Sequence, residues 1–230
     1  MHRALIFDLD GTLIDSERWN VPAWQAAARH FGYTLTEAFY RTLIGLSRLE
    51  SDRRILQEFG PDCPVLDLRE KRREIFYAAW DAGDGPPWKP GLRELLAWLE
   101  GSPLRTAVAT SSSRPEAEAK MLRSGLLDRF PVVVCGDEVA RAKPAPDLFL
   151  AAADRLEVEP LACLVVEDSP AGVEAARAAG MPVVFIPDLV APDPRVEALS
   201  LAVLPSLEEL LNELSDGWNS GGPRRSAPRC

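Results

Sequence analysis

The chain reads as an α/β protein: a doubly wound parallel sheet with an inserted helical cap. Three observations predict this. Short continuous apolar runs recur along the chain and each stops at polar residues. Helical patterns lie between most of these runs. One long segment after the first run is helical throughout.

The first strand is read at 4–7, a run of Ala, Leu, Ile and Phe without a polar alternate residue. Such a run suits a strand buried on both faces, as in a parallel sheet. Similar runs are read at 106–109, 132–135, 164–166 and 183–186. Helices are predicted at 92–99, 115–122, 146–156 and 171–179, the last stopped by Gly180 with Pro182 just beyond. Residues 16–87 carry helical patterns at 19–31, 35–43, 49–59 and 66–80, and close on the loop composition of 83–87. The expected organisation is a sheet domain from 1–15 and 88–214, a helical cap at 16–87, and a disordered tail at 215–230 rich in Gly, Ser, Pro and Arg.

A net charge of −9 argues against nucleic-acid binding, which needs a basic face. No apolar stretch approaches the roughly 18 residues of a membrane span, and the start of the chain lacks a signal-peptide pattern, so a cytoplasmic protein without membrane or nucleic-acid partners is expected. Cys63, Cys135, Cys163 and Cys230 show no paired or metal-ligand spacing. Basic side chains are nearly all arginine. Lysine occurs only at 71, 89, 120 and 143, so the place of each one matters.

In open parallel sheets, ligands bind beyond the carboxyl ends of the strands. Four strand ends here are chemically notable. The first is Phe7-Asp8-Leu9-Asp10-Gly11-Thr12. Its two carboxylates repel and call for a cation or a shared proton, although Asp-Gly alone is also a common turn pair. The second, Thr110-Ser111-Ser112-Ser113, offers hydroxyls and free amides leading into a helix, an anion site or simply a capping cluster. The third places Lys143 between Ala142 and Pro144. The fourth, Glu167-Asp168-Ser169, sets two adjacent carboxylates at a buried strand end, which is costly unless they meet a cation.

Taken together and in this order, the four signatures resemble the haloacid-dehalogenase-like superfamily of phosphatases and phosphomutases, over about residues 4–187. The helical insert is similar to that family's helical cap. The resemblance implies that Asp8 is the nucleophile that becomes an aspartyl-phosphate, and that Asp10 is the acid and base. It implies that Thr110, Ser111 and Ser112 hold the phosphoryl group and that Lys143 neutralises charge. It implies Mg2+ bound by Asp8, the carbonyl of Asp10 and Asp168, with Glu167 close by. The substrate would be a small phosphorylated metabolite, such as a sugar phosphate or phosphoglycolate.

Within the superfamily the chain looks closest to the beta-phosphoglucomutase and phosphoglycolate-phosphatase-like group. Gly45-Leu46-Ser47-Arg48 resembles a mutase element whose arginine grips a second phosphate, though Arg48 reads equally well as a surface helix arginine. Ser113 and Arg114 stand where the mutase has a lysine and an asparagine, and Asn20 stands where it has a cap histidine. Asn cannot relay a proton at neutral pH, so these departures favour hydrolysis over a sugar phosphomutase. A non-catalytic binding protein on the same fold is a further alternative. Cap residues expected to contact substrate are Trp19, Asn20, Trp24, Arg41 and Arg48. Oligomeric state is unreadable, and a monomer fits.

Overall fold

A computed structural model describes residues 2–83 and 85–217. The elements follow in the order β1 (Ala4–Phe7), α1 (Ser16–His30), α2 (Glu37–Arg41), α3 (Arg48–Phe59), α4 (Val65–Asp81), α5 (Leu92–Glu100), β2 (Arg105–Thr110) and α6 (Arg114–Arg123). Then come β3 (Val132–Cys135), α7 (Asp147–Leu156), β4 (Cys163–Glu167), α8 (Pro170–Ala178), β5 (Val183–Phe185), α9 (Pro194–Leu199), β6 (Ala202–Val203) and α10 (Leu207–Ser215).

The six strands form one parallel sheet in the order β3-β2-β1-β4-β5-β6. The pleat sends alternate residues to opposite faces. Leu5 and Phe7 of β1 pack with α5, α6 and α10, while Ala4 and Ile6 pack with α7, α8 and α9. Helices therefore cover both faces, which is why the strand sequences lack polar alternation. Cys135 and Cys163 are buried strand residues with free thiols.

The strand order reverses at β1, with β2 on one side and β4 on the other. Three of the four polar strand ends thus stand side by side at the centre of the sheet, and the loop after β3 brings the fourth. The sequence reading missed β6, α9 and α10. β6 is two residues long, and α9 and α10 bury only Val196 and Leu207 with Leu210.

Helices α1 to α4 form the insert. They have their own core, with Trp24, Ala28, Tyr40, Ile55 and Leu68 buried together. Thr36 and Ser47 cap α2 and α3 by accepting the amides of Phe39 and Glu50. The chain leaves and re-enters the sheet domain through a paired crossing: Asp15 N–H donates to the Pro87 carbonyl and Lys89 N–H to that of Leu13, both at 2.9 Å. Of the tail expected to be disordered, Ser215 ends α10 and residues 218–230 lie outside the described residues.

Candidate active site

The strand β1 must end abruptly for its carboxylates to clear the sheet. Gly11 provides the turn, with φ of +81°, and a side chain there would run into Asp168 Oδ2. Asp8 lies at the strand end and is buried. Lys143 reaches it from the loop after β3, donating to Asp8 Oδ1 and to Glu167 Oε1, both at 2.5 Å, and to the Ala109 carbonyl at 3.2 Å. A buried ammonium between two buried carboxylates is held firmly protonated, because both charges outweigh the cost of its burial.

Asp8 itself is pushed up to about 7 by burial, and the charge of Glu167 adds to this against the pull of Lys143. Asp168 is also raised, by burial and then by repulsion from Glu167 and Asp8. One oxygen of each is engaged: Asp8 Oδ1 by Lys143, and Asp168 Oδ1 by the Thr12 hydroxyl at 3.2 Å. The other oxygen of each has no hydrogen-bond donor among the described residues. This is an under-compensated negative site, and a hard cation fits it.

Glu167 is placed differently from the metal ligand expected of it. Its Oε1 takes Lys143, and its Oε2 takes the amides of Asp168 and Ser169 and the Ser169 hydroxyl, each at 2.9 Å. It is fully buried and does not line the cavity. Its geometry is that of a support for Lys143 and for the turn that presents Asp168. Among the described residues no three His, Cys, Asp or Glu side chains gather as a metal cluster.

Asp10 is in a different electrostatic setting. Lys120, on α6, donates to both of its oxygens at 2.8 Å, and the hydroxyls of Ser16 and Ser112 add further bonds. Burial would raise its pKa, but Lys120 and the hydroxyls outweigh this and hold it below the usual carboxylate range. The two aspartates of one motif are thus driven in opposite directions. Little in the sequence singles out Lys120, whose partner lies 110 residues away. Its only signal was the scarcity of lysine.

A cavity of about 880 Å³ opens over these groups, lined on the sheet side by Asp8, Asp10, Thr110, Ser111, Ser112 and Asp168. The cap side contributes Asn20, Trp24 and Arg48, as expected, and also Glu17, Arg69 and Arg72. Glu17 is a buried carboxyl raised to about 7 by burial and by Asp10, and it accepts the Tyr40 hydroxyl. Arg48 is exposed at the edge and lies 3.9 Å from Asp52. Two of the cap candidates, Trp19 and Arg41, are not brought to the cavity, nor is Arg114, which stands at a mutase substrate position. Trp19 packs on the sheet-domain core, Arg41 donates to the Leu189 carbonyl and Glu37, and Arg114 turns towards Glu138 and the Val133 carbonyl.

A family model described as hydrolase, haloacid dehalogenase-like hydrolase, matches residues 2–180. The chain is 35% identical to Protein CbbY of Rhodobacter capsulatus over 90% of its own length and 98% of the relative's. It is 30% identical to a phosphorylated carbohydrates phosphatase of Thermotoga maritima, covering 93% and 98% of the two chains. It is 34% identical to the fructose-1-phosphate phosphatase YqaB of Escherichia coli, covering 80% and 96%. Among solved structures, CbbY of Rhodobacter sphaeroides in complex with phosphate superposes with a TM-score of 0.79 at 28% identity, covering 91% and 96%. A beta-phosphoglucomutase of Clostridium difficile gives the same TM-score at 26% identity, covering 94% and 96%.

Proposed function

Because this chain belongs to the haloacid dehalogenase-like hydrolase family, we propose that it is a magnesium-dependent phosphatase of a small phosphorylated metabolite, such as a sugar phosphate or a phosphoglycolate-like acid. Named phosphatases among its relatives support a phosphoric monoester hydrolase. One observation carries the finer reading: Asp8 faces the cavity with one oxygen fixed by Lys143 and the other without a protein donor, while Asp10 is held ionised beside it.

In this reading the free oxygen of Asp8 attacks phosphorus, and the bond from phosphorus to the ester oxygen breaks. The leaving oxygen takes a proton that the Lys120 ammonium passes through the Asp10 carboxylate, leaving the pair one proton short. An aspartyl-phosphate remains on Asp8. Water then attacks phosphorus, gives its proton back to the same pair, and releases phosphate and free Asp8. Thr110, Ser111 and Ser112 hold the phosphoryl oxygens, and Lys143 balances the charge gathering on Asp8. Asp8, the main-chain carbonyl of Asp10 and Asp168 would hold Mg2+, which when bound offsets the repulsion between a carboxylate and a phosphate dianion. The helices of 16–87 act as the cap that closes over the substrate, hinged at the crossing near residues 13–15 and 87–89.

A sugar phosphomutase is the second reading, favoured by Arg48 at the cavity edge. Against it, Asn20 accepts a hydrogen bond from Arg72 at 3.4 Å and carries no transferable proton. One assay separates the readings. With purified protein, Mg2+ and beta-glucose 1-phosphate plus a bisphosphate primer, hydrolysis yields free phosphate without isomerised product. On p-nitrophenyl phosphate, Asp8→Asn should lower turnover at least about a thousandfold. Full magnesium-dependent activity in that variant would sink the proposal.

A further inference from the structure

Glu17 and Asn20 lie one turn apart on α1, on the face that lines the cavity. A glutamate in the first turn of a helix is an ordinary choice where it is solvated. Here it is buried, with 8% of its surface exposed. Its Oε2 accepts the Tyr40 hydroxyl, and its Oε1 has no donor among the described residues. The charge that bears on it most is that of Asp10. Lys120, which would offset that charge, is committed to both oxygens of Asp10. Buried polar groups are ordinarily satisfied. One oxygen of Glu17 is thus left for a group outside the protein.

Asn20 is placed in a matching way. Its Oδ1 accepts Arg72 Nη1 at 3.4 Å, which sets the amide with Nδ2 turned away from Arg72. Arg72 is itself anchored by Glu116 at 2.7 Å. Asn20 Nδ2 has no acceptor among the described residues. This face of α1 therefore offers the cavity one acceptor and one donor. A hydroxyl both donates and accepts, so two neighbouring hydroxyls satisfy both atoms. A carboxylate only accepts: it suits Asn20 but is repelled by Glu17. The pair also stands on the side of the leaving oxygen, because Ser16, next to Glu17, bonds Asp10 Oδ1.

We infer that Glu17 is a specificity-determining residue, which together with Asn20 binds neighbouring hydroxyls on the carbon skeleton beside the ester and turns away substrates that carry a carboxylate there. The substrate class is then a polyhydroxylated phosphate, a sugar or polyol ester, and not a phosphoglycolate-like acid. This inference rests on the phosphatase reading and on the place of Asp10 in it.

The test compares kcat/KM, with Mg2+, on glycerol 1-phosphate, propyl phosphate, phosphoglycolate and p-nitrophenyl phosphate. The first carries neighbouring hydroxyls, the second none and the third a carboxylate. Burial raises Glu17 to about 7, so at about pH 8 it is ionised. The wild type should prefer glycerol 1-phosphate to propyl phosphate and to phosphoglycolate by about tenfold or more, because a site built to bond a hydroxyl discriminates against its absence. Glu17→Ala should bring the preference over propyl phosphate to within about threefold. Glu17→Gln keeps an acceptor for Tyr40 and removes only the charge, so discrimination against phosphoglycolate should fall about tenfold. It also serves as the readout if Glu17→Ala does not fold. An equal loss on all the substrates in Glu17→Ala would make Glu17 a support for Tyr40 and nothing more, and would overturn the inference. Rejection of phosphoglycolate by Glu17→Gln as strong as in the wild type would overturn it too. A wild type inactive on p-nitrophenyl phosphate sinks the phosphatase reading itself, whereas activity there without preference for glycerol 1-phosphate sinks this inference alone.

Discussion

Lys143 sits between Asp8 and Glu167 with a side chain almost wholly buried. Removing one member of a buried ion network leaves the others uncompensated, which costs about 3–5 kcal/mol. Lys143→Met should therefore lower the free energy of unfolding by about that amount, read as a lower denaturant midpoint, as well as abolish turnover. An unchanged midpoint would mean that Lys143 is not what balances the two carboxylates. At this scale the sequence was informative where a residue stood at a strand end. Asp8, Asp10, Thr110, Lys143 and Asp168 share the site because strand ends of a parallel sheet share an edge. It was uninformative for Lys120 and Arg72, which lie inside helices at 114–123 and 65–81. Nothing local to a helix says which distant carboxylate its polar face meets. Glu167 was expected beside a cation from its adjacency to Asp168, and the sequence did not foretell its contacts with Lys143 and the Ser169 hydroxyl, which come from another loop and from the turn after β4.

Elements act through the way they approach each other. The loop between α2 and α3 meets the sheet domain at Gly45, which has φ of +76° and whose carbonyl accepts the Ser111 hydroxyl at 3.3 Å. A side chain at this position would fall 2.4 Å from Ser169 Oγ. Gly45→Ala should therefore hold the cap off the strand ends, lowering kcat/KM by about tenfold or more while the sheet domain keeps its fold. Wild-type kinetics in that variant would show that the loop does not seat against Ser111 and Ser169 during turnover. The strands at 4–7 and 132–135 were legible to the residue because burial on both faces leaves an uninterrupted apolar run. The final elements were not. A two-residue edge strand and short helices carry too few core positions to stand out against a loop.

The whole molecule carries a net charge of −9 yet must gather phosphate at a site built around carboxylates. Asp8, Asp10, Glu17 and Asp168 line it and Glu167 lies behind Lys143, against the buried cations Arg72, Lys120 and Lys143. The balance favours binding a cation before an anion. Mg2+ that binds only the folded chain should raise its stability, by about 2.7 kcal/mol at a hundred times its dissociation constant. Thermal unfolding with and without Mg2+ reads this directly, and Asp168→Asn should abolish most of the increase. An equal rise in that variant would place the ion elsewhere. Among the described residues no helix is long and apolar enough to cross a membrane.

The central claim is that Asp8 carries the phosphoryl group during turnover. Acid quenching within the first turnover, with a substrate radiolabelled in its phosphoryl group, followed by peptide mapping, tests it most directly. The label is expected on the peptide that contains Asp8, stable in acid and released by hydroxylamine, as an acyl phosphate requires. Continued turnover with no labelled peptide, or a label on any other residue, would contradict the account.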